Sequence, residues 1–358
     1  MTKQSKHNLF FLKAKKIKWI IAIVILLGYL SFYIPVPYYL TMPGSAMELS
    51  SLVEVENGYD SKGEFMMTTV SMMRGTLLSY AYSFFNNYMD SIPEEYILNE
   101  NEDPEDYSRR QLEVMKESQI SSIIAAFDLL NKPVEIKEKG ILVLGLIEDL
   151  PSSKVLQTGD LIIQVDNIPM TNVTELIDYF KTKKEGDLVQ LVFIRDNKRI
   201  TEVVPLVNLS KELDVEGMPS TKPGIGIYPY QEREVATLEK VKFETENIGG
   251  PSAGLMFTLE IINQLTAEDL TKGYKIAGTG TINSDGKVGQ IGGARFKVKA
   301  AYEKGAKIFF VPKDIKADDT NQKDAEKSND DLGNPLKIIP VSNIKEAVDY
   351  LKTLPVKS

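Results

Sequence analysis

The sequence predicts an α+β chain: an N-terminal transmembrane helix, then a β-rich domain, then a C-terminal α/β domain. Three observations predict it. No charged residue stands between Trp19 and Met47. Between residues 131 and 207, short apolar stretches alternate with polar two-residue turns. From residue 208 onward, glycine-rich turns separate apolar helices from apolar strands. The chain has 358 residues, 43% of them hydrophobic, enough for two or three cores.

Residues 1–18 form a basic tail with six lysines and no acid. The run from Trp19 to Ile34 is densely apolar, and with the flanking residues to Leu40 it is long enough to span a bilayer. Lysines before the span place the N-terminus in the cytoplasm and the rest outside the cell. Trp19, Tyr38 and Tyr39 stand where an interfacial aromatic belt belongs. A cleaved signal peptide is the rival reading, with Gly44-Ser45-Ala46 as its small-residue site.

Composition removes several mechanisms. There is no cysteine, and the one histidine, His7, lies in the basic tail. Thiol nucleophiles, a Ser-His-Asp triad and a multi-histidine zinc site are therefore excluded, and a hydrolase here needs Lys, Asp, Glu or a terminal amine as its base. The net charge is −8, so the part after the basic tail sums to −14. An acidic body argues against nucleic-acid binding. The sequence calls for no metal and no cofactor.

Residues 41–130 are a mixed α/β region expected to pack with the last domain. Phe65 to Met72 reads as a strand and Thr76 to Phe85 as a helix. The acidic stretch from Asp90 to Asp106 fits a solvated surface better than a metal loop. Residues 108–130 carry helical periodicity through Leu112, Met115, Ile120, Ile123, Ile124 and Phe127.

In the β-rich domain, residues 131–207, Gly140 precedes the apolar strand Ile141 to Leu144. A short helix and turn run from Leu150 to Asp160, and a strand from Leu161 ends near the Asp166-Asn167 turn. An amphipathic helix covers Val173 to Lys181, and a hairpin turns at Asp196-Asn197. This order, above all Thr158-Gly-Asp-Leu-Ile-Ile-Gln-Val-Asp-Asn167, resembles a PDZ domain. PDZ domains capture peptide C-termini by adding a strand to a sheet edge. The resemblance implies that Gly140, Ile141, Leu142 and Val143 supply the carboxylate-binding loop and the edge strand. A PDZ fold used only as a spacer is the other reading, because fold alone does not prove binding.

The last domain, residues 208–358, centres on Gly250-Pro-Ser252-Ala-Gly254, a Gly-x-Ser-x-Gly pattern. An α/β-hydrolase elbow needs a downstream histidine, and none exists. The glycines permit a tight turn, and the apolar helix that follows would put its free N–H groups beside Ser252. An N-cap serine after a glycine turn fits that stretch equally well. Further on, Gly292-Gly293 opens a helix on which Ala294, Lys297, Val298 and Ala301 share one face. A lysine pressed into an apolar stripe loses its preference for the charged form and becomes a base. A surface lysine snorkelling from a helix is the competing reading.

Together, Gly-Pro-Ser-Ala-Gly and Gly-Gly-x-x-x-Lys resemble the proteolytic domain of Lon-type proteases over residues 225–353. The resemblance implies Ser252 and Lys297 as a catalytic dyad and Thr279 as an orienting hydroxyl. Backbone around Gly249, Gly250, Pro251 and Ala253 would hold the oxyanion. No Gly-x-x-x-x-Gly-Lys-[Ser/Thr] loop is present, so no P-loop ATPase is expected. Gly224-Ile-Gly226 is a lone glycine pair with no phosphate context. The acidic stretch Asp314 to Asp331 is a candidate for disorder.

An anchor, a PDZ-like module and a Lon-like domain without an ATPase resemble the Lon-like PDZ proteases of Gram-positive bacteria, the group that includes the SepM pheromone-processing protease. That resemblance implies a peptide or protein substrate outside the cell, attachment to the lipid bilayer through the N-terminal helix, and no need of ATP. Lon-type domains commonly form rings, so a homo-oligomer is open on the resemblance alone. The alternative is a membrane-anchored PDZ adaptor with an inactive Lon-like domain.

Overall fold

The computed structural model describes Trp19 and residues 28–98, 102–212, 222–246 and 248–357. The basic tail and residues 20–27 of the expected span lie outside the described residues. Among those described, no helix is long and apolar enough to cross a membrane, and from Pro35 the chain is extended. The chain divides into two units, Met1–Gly44 with Val70–Ile97, and Ser45–Thr69 with Leu98–Ser358.

In chain order the elements begin with strands β1 (Pro35–Glu48), β2 (Val53–Val55) and β3 (Glu64–Thr76), helix α1 (Leu77–Ser83), strand β4 (Asp90–Pro93) and the long helix α2 (Pro104–Leu129). The middle segment holds β5 (Val134–Leu146), β6 (Leu161–Val165), β7 (Ile168–Pro169), α3 (Val173–Lys181), β8 (Leu188–Arg195) and β9 (Lys198–Pro205). Short strands β10 (Val207–Asn208) and β11 (Pro223–Gly224) lead to β12 (Ile227–Thr237) and β13 (Val241–Phe243). The last segment holds α4 (Gly254–Leu265), β14 (Lys275–Gly278), β15 (Thr281–Ile282), β16 (Val288–Gly289), α5 (Ala294–Glu303), β17 (Ile308–Pro312), α6 (Asn321–Asp331), β18 (Lys337–Val341) and α7 (Ile344–Lys352).

In the second unit, β18, β17, β14 and the start of β3 lie side by side and pair in parallel. Strands covered on both faces carry continuous apolar runs rather than alternation, and every residue of β17 is buried. Helix α4 packs in the same core and buries residues all round, from Gly254 to Asn263. That is why it reads as apolar without a polar stripe. Helix α2 comes from before the β-rich segment, yet it shares this core through Met115, Ile123 and Phe127. Strand β2 likewise pairs with β13, although the β-rich segment separates them in sequence.

The second sheet runs β12, β5, β6, β8, β9, with β7 beside β6. Its turns are fixed by paired charge. Gly159 takes a left-handed φ of 95°. The next residue, Asp160, is buried and receives two bonds from Arg195, Nε at 2.7 Å and Nη2 at 2.6 Å. Asp166, at the following turn, accepts from Tyr179 Oη, Lys183 Nζ and the Gln190 N–H. The Thr-Gly-Asp stretch is therefore a structural corner that holds β6 to β8. Pairing with β12 places an eleven-residue strand from after residue 207 inside this sheet.

In the first unit, β1 and β4 pair antiparallel from Tyr38 opposite Pro93 to Thr41 opposite Asp90. Helix α1 starts on a capping box formed by Thr76 and Ser79.

The acidic stretch from Asp314 to Asp331 is not disordered. Asp314 accepts the backbone N–H groups of Gln322 and Lys323 at the start of α6. Asn329 exchanges two bonds with Leu336, and Ala325 is fully buried. Sequence charge alone hid these buried anchors.

Candidate active site

Ser252 stands in the turn before α4. The residue that caps this helix is Ala253, which offers no side-chain bond, so Ser252 is not an N-cap serine. Its carbonyl accepts from Gly280 N–H at 2.9 Å and from Thr279 Oγ1 at 3.0 Å. These bonds fix the turn to the end of β14, where the parallel strands finish, the usual location of sites in parallel sheets. Gly254 follows because space is short: a Cβ there would lie 2.8 Å from both Ile282 Cγ2 and Ser118 Oγ.

Lys297 reaches the same point from α5, whose N-cap Gly293 has a left-handed φ of 71°. Ala294, Val298 and Ala301 on its stripe are buried, and Lys297 is only 2% exposed. It is no snorkelling surface residue; Lys299, which pairs with Glu303, points elsewhere. Lys297 Nζ lies 2.6 Å from Ser252 Oγ and donates to Thr279 Oγ1 at 3.0 Å. Burial pulls the amine's pKa down to about 7. A base within hydrogen-bond reach of a hydroxyl and half-deprotonated near neutrality is the arrangement that activates a serine.

The expected oxyanion set is narrower in the structure. The Gly250 N–H is taken by the Gln111 carbonyl at 2.9 Å, and Pro251 has no N–H to give. Those two residues shape the turn, Gly250 with φ 92°. Among the described residues, the N–H groups of Gly249, Ser252 and Ala253 meet no acceptor. Sequence reasoning missed what positions the turn from outside. Ser118 Oγ donates to Pro251 O at 3.0 Å and Ser122 Oγ to Gly254 O at 3.0 Å, both from α2. Their i, i+4 spacing on a helix was the available signal.

Gly140 to Val143 lie in the middle of β5, paired to β12 on one side and, through Ile141 and Leu142, to β6 on the other. The segment is interior and buried rather than an edge, so a peptide cannot add there without displacing β12. The end strand of this sheet is β12 itself, whose second edge has no partner strand among the described residues. Beside the start of β12 lies a groove of about 920 Å³. Gly224, Ile225, Gly226 and Ile227 line one wall, and Ile177 and Phe180 of α3 the other. Gly226 has φ 72°, and a Cβ there would meet Leu150 Cδ1 at 2.3 Å, so only glycine fits this turn. The glycine pair given no weight in the sequence thus forms the head of a groove.

Two family models match separate parts of the chain. Residues 246–353 match the Lon protease (S16) C-terminal proteolytic domain. Residues 125–206 match the PDZ domain. The Lon protease of Mesomycoplasma hyopneumoniae is 34% identical over 102 residues, 28% of this chain and 11% of that protein. The Lon protease of Neorickettsia sennetsu is 35% identical over 101 residues, 28% of this chain and 11% of that protein. The chain thus spans about a tenth of the length of these relatives, and the shared part is their proteolytic end. The PDZ domain of an SdrC-like protein from Listeria innocua is 32% identical, covering 26% of this chain and 97% of that one, with a TM-score of 0.23. Its counterpart from Listeria monocytogenes is 29% identical over 26% of this chain and 92% of that one, with a TM-score of 0.24. The Lon-type domain supports serine peptidase activity. The helix that steadies its turn, α2, begins before the matched residues of both domains.

Proposed function

We propose that this chain is an ATP-independent serine endopeptidase with a Ser252–Lys297 dyad, attached to the membrane by its N-terminal helix and acting outside the cell. The observation that carries the reading is the 2.6 Å contact between Ser252 Oγ and a buried Lys297 amine. Ser252 Oγ attacks the scissile carbonyl as the neutral Lys297 amine takes its proton. The carbonyl oxygen becomes an oxyanion held by the N–H groups of Ser252, Ala253 and Gly249. The ammonium returns its proton to the leaving amine, and the C–N bond breaks. Lys297 then activates water, which hydrolyses the acyl-enzyme and frees Ser252. Thr279 Oγ1, bonded to both Nζ and the Ser252 carbonyl, holds the amine on line.

Substrates are exported peptides, such as a pheromone precursor, or flexible segments of membrane-proximal proteins; the 358 residues hold no P-loop to power unfolding. The groove between α3 and β12 takes an extended peptide by strand addition. Cleavage of an exported-peptide library by the full chain in lipid vesicles, without nucleotide, tests the reading. Wild type should cut, and Ser252→Ala and Lys297→Ala should not, with both variants still unfolding cooperatively. Undiminished cutting by Ser252→Ala would sink the dyad. No cutting by wild type would favour the adaptor with an inactive domain.

A further inference from the structure

A second uncharged stretch lies in the first unit. From Gly75 to Met89, between Arg74 and Asp90, the chain carries no charged residue. It contains helix α1 and the Phe84-Phe85 pair that follows. The helix holds Leu77, Leu78, Tyr80 and Tyr82, yet none of its residues is buried. Phe85 is 87% exposed, Phe84 68% and Tyr82 56%. Such a concentration of large apolar side chains in water is what a surface keeps only for an apolar partner.

The patch is continuous with the end of the apolar N-terminal run. Leu77 N–H donates to Ile34 O at 2.9 Å and Leu78 N–H to Ser31 O at 3.1 Å. Phe32, Tyr33 and Ile34 are also exposed. Tyr38, Tyr80 and Phe84 stack in sequence, with ring centroids 4.5 and 5.1 Å apart. Tyrosines, with an apolar ring and a polar tip, suit the headgroup boundary of a bilayer.

We infer that Gly75–Met89 is an interfacial element that lies in the outer lipid surface beside the N-terminal span. The inference rests on the membrane attachment proposed above and adds a second point of contact to it. A single helix leaves the attached protein free to rotate about the helix axis. A second contact, with Phe84 and Phe85 in the acyl boundary, removes that freedom. The lipid is preferred to a protein partner because the patch abuts a run that is itself free of charge from Trp19 onward.

The chain has no cysteine, so single labels can be placed cleanly. Full-length Phe85→Cys, Val24→Cys and Lys327→Cys would carry an environment-sensitive fluorophore in phosphatidylcholine–phosphatidylglycerol vesicles containing shallow or deep nitroxide lipids. The label at Phe85 should shift to the blue and lose emission to the shallow nitroxide. The label at Val24 should lose emission to the deep one, and that at Lys327 to neither. A quenched Val24 label with a Phe85 label as wet as Lys327 overturns the interfacial element and leaves the anchor standing. A blue-shifted Phe85 label untouched by lipid nitroxides means that protein covers the patch, which also overturns the inference. Three wet labels overturn the anchor and the interfacial element together.

Discussion

Lys297 carries two consequences of one burial. Its amine, with a pKa near 7, must be neutral to accept the serine proton. The kcat/KM of cleavage should therefore rise with pH below about 7 and level off above it. A profile flat from pH 5 to 9 would remove Lys297 from the base role. The same burial costs stability. The folded pKa lies below the unfolded value of about 10.4, so between roughly 7 and 10 the unfolded chain holds a proton that the folded chain lacks. Stability contributed by this group rises with pH through that window, and the penalty is complete below 7. Lys297→Met should stabilise the protein at pH 6 by on the order of 2–3 kcal/mol, after allowing for two lost hydrogen bonds. Urea unfolding at pH 6, 8 and 10 checks this: the advantage should shrink toward pH 10, and a constant gap would refute the titration. Thr279→Val should lower kcat roughly 5- to 150-fold with KM nearly unchanged, since the hydroxyl bonded to both the amine and the Ser252 carbonyl is lost, raising the barrier by about 1–3 kcal/mol. The glycine turn drew attention to Ser252 and the apolar stripe to Lys297, whereas Thr279 entered only through the family resemblance; the structure brings the three side chains together. The engaged Gly250 N–H was not legible, because its acceptor, Gln111, belongs to a distant helix.

Helix α2 shows how an element far away in sequence holds the turn that carries Ser252. Its serines add a donor to the carbonyls of Pro251 and Gly254, which otherwise hold only the Gly254 N–H at 3.3 Å and Thr258 Oγ1 at 2.9 Å outside the regular helix bonds. Ser118→Ala should cost about 1–2 kcal/mol of stability, read as a lower urea midpoint at unchanged slope. It should also lower kcat, because the turn bearing Ser252 loses a fixed point; unchanged kcat with lowered stability would make Ser118 structural only. The periodicity of residues 108–130 correctly predicted the helix. It did not single out Ser118 and Ser122 among the serines of that helix: their i, i+4 spacing marks a shared face, but the carbonyls they meet belong to a turn distant in sequence. The buried α4 and the parallel strand β17 were legible from their continuous apolar runs. Helix α6 was not, because its solvent face is densely charged and only Asn321, Ala325, Ser328 and Asn329 are buried on it.

Over the whole molecule, the chain's own order misled the reading of the peptide site. Strand Ile141–Leu144 follows a glycine and looks like an edge, but β12 arrives after residue 207 and covers it. A partner strand encoded after the domain leaves no trace within it. Once β12 is in place, the free edge, the glycine turn and the apolar wall of α3 converge on one groove. The same strand carries Arg233, six residues or roughly 20 Å beyond Ile227. Its guanidinium pairs with Glu117 of α2 and donates to Ser284 Oγ at 3.1 Å, at the hairpin after Thr279. One strand thus runs from the groove to the helix that steadies the Ser252 turn. Ile177, 40% exposed in the groove wall, separates recruitment from chemistry. Ile177→Asp should weaken binding of a peptide with a free C-terminus at least about tenfold, because a carboxylate then faces the apolar ligand. Its cleavage of a short reporter too small to fill the groove should match wild type, while longer peptides show a raised KM. Calorimetry and steady-state kinetics on the two lengths give the answer. If Ile177→Asp leaves peptide binding intact, capture lies elsewhere. If it slows the short reporter as well, the strand transmits groove occupancy to Ser252.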